Sequence, residues 1–209
     1  AADAALALAL RGVWAGWPMP GRGEGDVAAM LERVRYHGIA CLLAARAEAL
    51  TDWPAAARDG LRRQALAAAM WEARHRSFVA PLLEALAGAG VAALVLKGTA
   101  LAHDVYDQPA ERIRSDTDLL VAATDFAAAR AVLQACGFAL DPVDAAMPEA
   151  LRMQEAWERA CADGALHEVD LHRQLFNAPA LLGVLPGDEL FAHSVPVPGL
   201  CPSARTLDR

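Results

Sequence analysis

Between Val91 and Val121 the chain reads VAALVLKGTALAHDVYDQPAERIRSDTDLLV: an apolar run, a Lys97-Gly98-Thr99 turn, then a second apolar run carrying Asp116 and Asp118. Alternate residues of a strand share a face, so the two carboxylates are expected to project together while Leu119, Leu120 and Val121 run on into a core. Like charges held that close repel unless a cation lies between them. The turn after Leu96 is expected to open a helix, where backbone N–H groups gather and a glycine lets phosphate come near. Carboxylates suited to a metal and a turn suited to phosphates thus fall in one short stretch.

The 209 residues are 56% hydrophobic, ample for a real core. A formal charge of −7 excludes a strong basic nucleic-acid surface and leaves only a local basic groove for any polynucleotide. Cys41, Cys136, Cys161 and Cys201 lie far apart with no C-x-x-C pair, which predicts free thiols and a cytoplasmic setting. The apolar run Ala4 to Leu10 is too short for a secretory signal or a membrane span, so no membrane partner is expected. Of the nineteen basic residues eighteen are arginine, and the one lysine is Lys97. A compact ammonium meets phosphate as a point charge, which a planar guanidinium does differently, although one lysine must also fall somewhere.

Composition divides the chain near Gly90. Residues 1–89 are rich in alanine and leucine and read as a helical region, with Asp26 and Thr51 as N-caps and Gly38 and Gly88 to Gly90 as stops. Its longest helix is expected from about Pro54 or Leu61 to Leu86, bent at Pro81, with an apolar face of Leu66, Met70, Phe78, Leu82 and Leu86. Residues 90–209 read as a mixed α/β core. The expected elements are strand Val91 to Leu96, helix Thr99 to Tyr106, strand Asp116 to Val121, and a helix capped by Thr124 and ending at Gly137. A short strand at Phe138 to Leu140 follows. Asp163-Gly164 then marks a hairpin between Leu151–Ala160, which could equally be helical, and Leu166–Leu171. A short helix around Glu189 to Ala192, an extended VPVP piece and a helix opening at Ser203 complete the reading; the last implies that the native chain continues past Arg209. The fold class is therefore α/β (α+β), a helical N-terminal half packed on a small mixed sheet.

A third acid completes the chemistry. In His167-Glu168-Val169-Asp170-Leu171-His172, alternation puts Glu168, Asp170 and His172 on one face, and Asp170 can reach the first pair from a neighbouring strand. Asp116, Asp118 and Asp170 would then hold Mg2+ or Mn2+ against the phosphates of an NTP while an acceptor hydroxyl attacks in line. The bland readings stand beside this one: a solvated D-x-D loop, a plain turn at Lys97-Gly98, an Asp170–arginine pair, and His172 as a structural histidine rather than a ligand or substrate contact. Arg112 and Arg114 flank the acidic pair, and one is expected to meet phosphate while the other ties the loop. His37, His75, His103, His167 and His193 read as surface or packing residues. The tryptophans show no stacking pattern interleaved with basic residues.

The order strand, Gly98 turn, helix, Asp116-x-Asp118 and later Asp170 resembles the polymerase-β-like nucleotidyltransferase superfamily. More narrowly, LKGTAL, Tyr106, R-x-x-SDTDLLV, the Cys136-Gly137-Phe138 step and VDLH resemble the bacterial family of uncharacterised nucleotidyltransferases, over about Leu94 to Leu175. That resemblance implies metal-binding, catalytic carboxylates at Asp116, Asp118 and Asp170, and a phosphate-holding turn at Lys97, Gly98 and Thr99. It also implies an NTP substrate and an acceptor that is a peptide, tRNA or other RNA, or a small molecule. The chain departs from the superfamily in its Lys-Gly-Thr turn, its long gap from Gly98 to Asp116, and Arg173 where an aromatic is usual. The same layout resembles toxin-type nucleotidyltransferases acting on RNA or protein. A catalytically silent scaffold on this frame and kinase-like transfer of the γ-phosphoryl group are the remaining alternatives.

Overall fold

Alternation along two separate segments, Asp116–Val121 and Leu166–His172, decides the architecture, because each offers one apolar and one polar face to a sheet. In the computed structural model, which describes residues 2–13, 16–149, 152–175 and 187–208, the chain forms two compact units. One comprises Ala1–Ala73 and Tyr106–Ile113, the other Arg74–Val105 and Arg114–Arg209. The class is mixed α/β, with extensive helix and a mixed five-stranded sheet.

The first unit is helical: α1 (Ala2–Leu10), α2 (Glu24–His37), α3 (Ala40–Ala44) and the first part of α4 (Ala55–Gly88). Met30, Val34, Leu43, Leu50, Trp53 and Leu61 are buried together, and the Trp53 indole donates to the Gly16 carbonyl at 3.0 Å. α2 ends where Gly38 adopts φ 65°, a left-handed stop that glycine takes without steric penalty. The expected caps differ. Gly23 occupies the N-cap of α2 and Asp26 sits in its first turn, where a carboxylate still favours the helix dipole. Thr51 lies in the turn that precedes α4.

The second unit holds the last part of α4, α5 (Lys97–Asp104), α6 (Phe126–Ala135), α7 (Pro142–Ala146) and α8 (Gly187–Ala192). Its strands are β1 (Ala93–Val95), β2 (Asp116–Val121), β3 (Ala139–Leu140), β4 (Gln154–Ala160), β5 (Leu166–His172), β6 (Ser194–Pro196) and β7 (Arg205–Leu207). The sheet runs β1-β2-β5-β4-β3, with β2 parallel to β5 and the other neighbours antiparallel. One face buries Leu119, Val121, Trp157, Val169 and Leu171 with Val79, Leu82 and Leu86 of α4 and Leu133 of α6. The hairpin expected at Asp163-Gly164 forms with both arms as strands, and Gly164 takes φ 82° in the turn.

Two expectations fail for physical reasons. Leu66 and Met70 were expected beside Leu82 and Leu86, yet they are 62% and 59% exposed while the latter two are buried. Five strides of four residues turn an α-helix by about 200°, so a stripe drawn at that spacing ends on the opposite side from where it began. At the C-terminal end Ser203 opens no helix. Its N–H and hydroxyl bond the Glu84 carboxylate at 3.1 and 2.8 Å, and residues 205–207 form β7 against β6. No helix among the described residues is long and apolar enough to cross a membrane.

Candidate metal and phosphate site

Parallel pairing of β2 with β5 sets Asp118 opposite Asp170, Asp116 opposite Glu168, and Leu120 opposite His172. The in-register acids share the sheet face that faces away from Leu119 and Leu171. Donor atoms of Asp118, Asp170 and His172 all lie within 4.8 Å of one another. Asp118 is 4% exposed and is the hub of the group: its Oδ1 accepts from His172 Nε2 at 2.9 Å and from Lys97 Nζ at 2.5 Å. Asp116 stands one step further along β2, beside Glu168 and outside that cluster.

The electrostatics follow from this crowding. Burial raises the Asp118 carboxyl, but hydrogen bonds from His172 and Lys97 outweigh it and hold the group below its ordinary range. Asp170 is pushed up, first by burial and then by the Asp118 and Asp116 charges, against the opposing pull of His172 and Lys97. Glu168 rises as well, through burial and then the charges of Asp170 and Asp116. The Asp118 hydrogen bond raises Lys97, ahead of the opposing desolvation.

The turn that opens α5 has its conformational strain at Lys97. With φ 49° Lys97 alone, among the described non-glycine residues, has a positive φ, which costs about 1–2 kcal/mol at an ordinary side chain. Gly98 has no such angle, and a Cβ built there would meet Arg114 Cδ at 3.4 Å, an ordinary contact. Leu96 provides no side-chain cap for α5, leaving its first-turn N–H groups without that partner. Thr99 is 1% exposed, and its hydroxyl is engaged by Arg114 Nε at 2.8 Å. Arg112 belongs to the first unit, where its guanidinium donates to the Ile113 carbonyl at 3.2 Å.

The sequence matches the family described as "Uncharacterised nucleotidyltransferase" over residues 23–209. The chain belongs to that family. No curated protein and no solved structure gives a match. Membership in the nucleotidyltransferase family supports nucleotidyl transfer as the class of activity, with an NTP as the implied substrate.

Nucleotidyltransferases generally use divalent metals, and the residues present fit one. Two carboxylates and an imidazole offer oxygen and nitrogen donors in one small volume, and a cation there would offset the burial and the neighbouring carboxylate charges that raise Asp170. In sequence His75 and His167 read only as surface or packing residues, and Thr117 has no assigned role. His75, His167 and Thr117 are fully buried beneath the acids, and their hydrogen bonds lead to Thr99. The available signal was alternation itself: if Asp116 and Asp118 face one way, Thr117 faces the core, and a buried hydroxyl needs partners.

Proposed function

We propose that the protein is a Mg2+- or Mn2+-dependent nucleotidyltransferase that moves an NMP group from an NTP to an acceptor hydroxyl on a peptide, an RNA or a small molecule. The observation that carries this reading is the in-register Asp118–Asp170 pair with His172, sited beside the only lysine and an uncapped helix start. Asp118 and Asp170 would hold the metal with His172 and with Asp116 at its edge, while Lys97, the first-turn amides of α5 and Arg114 meet the phosphates. A bound divalent ion would draw charge from the phosphates and make the acceptor hydroxyl easier to deprotonate.

Transfer then balances as follows. The acceptor oxygen bonds to the α-phosphorus, the bond from that phosphorus to the α,β-bridging oxygen breaks, and pyrophosphate leaves with the electron pair. The hydroxyl proton passes by way of an Asp170 carboxylate oxygen to water. Positioning and charge neutralisation carry such a step without a covalent nucleophile.

Mg2+ or Mn2+ with NTP is expected to raise the melting temperature, and Asp116→Asn with Asp118→Asn to abolish the rise. Incubation with each α-labelled NTP and pools of peptide, tRNA or small-molecule acceptors should move label to one pool and release pyrophosphate. NDP release instead would indicate γ-phosphoryl transfer. One observation favours a second reading, a catalytically silent scaffold: Lys97 already supplies a cation to Asp118. Absence of any metal-dependent NTP shift in the wild type would decide for the scaffold.

A further inference from the structure

Beneath the acidic face, against a largely apolar core, an unbroken file of hydrogen bonds joins α4 to the start of β2. His75 Nδ1 lies 3.0 Å from His167 Nδ1, and His75 Nε2 lies 2.6 Å from the Thr117 hydroxyl. The Thr117 hydroxyl lies 2.8 Å from that of Thr99, which also contacts Arg114 Nε at 2.8 Å and the Asp116 carbonyl at 3.3 Å. Both histidines and both threonines are essentially buried.

Two partners of Thr99 set the direction of the file. A guanidinium N–H only donates and a carbonyl only accepts. The Thr99 oxygen therefore accepts from Arg114, and the Asp116 carbonyl, which can only accept, is taken as the acceptor of its proton. With that proton committed, Thr117 donates to Thr99, and His75 Nε2 donates to Thr117. Both lone pairs and the proton of Thr99 are then engaged, so its hydroxyl has nothing left for phosphate. Thr99 becomes a junction that ties the Arg114 side chain to the backbone of the acidic strand.

Apolar residues of similar volume often replace buried polar groups with little loss of stability, so a polar file in such a core serves geometry better than stability. We propose that Thr117 and His75 are positioning residues for nucleotidyl transfer: by fixing the direction of the Thr99 hydroxyl, they hold Arg114 and the Asp116 backbone where the nucleotide phosphates meet them. The inference rests on the transfer reading of the site above it.

Thr117→Val and Thr117→Ser separate this role from packing. Valine keeps the shape and loses the hydroxyl; serine keeps the hydroxyl and loses a methyl. The full chain is titrated in Mn2+ with the α,β-methylene analogues of the four ribonucleoside triphosphates, and the Arg114 Nε–H and His75 Nε2–H resonances are followed by 1H–15N NMR of the metal-free protein. Thr117→Val should weaken the best analogue by roughly 10- to 100-fold, as loss of a supporting hydrogen bond commonly does, and should lose Arg114 Nε–H protection. Thr117→Ser should restore both, and Mn2+ binding alone should change in neither variant. The proposal is overturned if valine binds like the wild type or serine fails as badly as valine. Should Thr117→Val not fold, the wild-type spectrum decides, because an unprotected Arg114 Nε–H or a His75 ring lacking Nε2–H overturns it. A wild type that binds Mn2+ but none of the analogues removes the transfer reading itself, and with it the purpose assigned to the file.

Discussion

The two units handle charge in opposite ways. In the helical unit the ion pairs Arg22–Asp52, Arg33–Asp3, Arg35–Glu32 and Arg62–Asp59 are all half to two-thirds exposed. In the sheet-containing unit two carboxylates, Asp118 and Glu155, are almost wholly enclosed and each is held by more than one donor. Exposed pairs are screened and contribute little, whereas a buried charge must be matched or it destabilises strongly. Helices whose stability rests on Met30, Leu43 and Trp53 keep these ion pairs at the surface, with Glu72 the one buried carboxylate among the described residues of that unit. A sheet that carries a charged site on one face has to organise charge inside itself.

The largest effect should come from breaking the buried pair that lies outside the site. Glu155 accepts from Arg130 Nε at 2.9 Å, from Arg152 Nη1 at 2.9 Å and from Trp157 Nε1 at 3.3 Å. Arg130→Ala leaves that carboxylate under-compensated and should lower unfolding free energy by about 3–5 kcal/mol in urea titrations. The double change Arg130→Met with Glu155→Leu should recover part of the loss, because the fully buried carboxylate is gone while Arg152 gives up one partner. Arg22→Ala in the helical unit should move the denaturation midpoint far less. Equal losses for Arg130→Ala and Arg22→Ala would erase the contrast between the units.

Next in size is removal of the metal cluster's own donors. At a Mn2+ concentration one hundred times its Kd, binding adds about 2.7 kcal/mol to stability, and a chelator should take the same amount away. Asp118→Asn or Asp170→Asn should abolish that gain. Asp116→Asn should only reduce it, since Asp116 stands outside the group whose donors lie within 4.8 Å. A larger loss from Asp116→Asn than from Asp170→Asn would contradict the register-based assignment.

What was legible in the sequence tracks what is local. Strand Asp116–Val121 matches its expected bounds because alternation and β-branched composition act within six residues. The hairpin was legible because Asp163-Gly164 specifies a turn by itself. The pairing of Asp118 with Asp170 was an inference of convergence only; parallel register between distant segments leaves no local mark. The hydrogen-bonding role of His75, which reads in sequence only as a surface or packing residue, was illegible for the same reason, since its partner Thr117 lies 42 positions away on a different element. In the turn, the glycine drew attention as the flexible residue, yet the left-handed angle falls on Lys97. Capping chemistry near Ser203 misled because the Glu84 carboxylate competes for that serine, a contact across 119 residues.

Gly98→Ala tests that turn with a smaller change. Its φ is not positive and the added methyl meets only Arg114 at ordinary contact distance, so stability should move by less than about 1 kcal/mol. Affinity for the NTP analogues in Mn2+ should nevertheless fall, because the methyl projects where backbone and phosphate would approach each other. Unchanged affinity would shift phosphate binding away from Gly98 and onto the Lys97 and Arg114 side chains.

The smallest effect belongs to the helical unit and concerns pH. A hydrogen bond from Arg33 is the main influence that holds Asp3 down from 3.8 to about 2, with His37 adding to it against a smaller opposing desolvation. A carboxyl lowered by folding lends stability above its unfolded value and loses it as pH falls through the folded one, so this contribution should fade between about pH 4 and pH 2. Thermal midpoints of the wild type and Asp3→Asn should therefore differ most above pH 4 and converge towards pH 2; other carboxylates titrate in both proteins and cancel in the difference. The gap should also shrink with added salt, because both partners are about half exposed. A gap that persists at pH 2 or ignores salt would mean that Asp3 acts through packing or a helix end rather than its charge, and the helical unit would no longer be the one whose ion pairs act only at the surface.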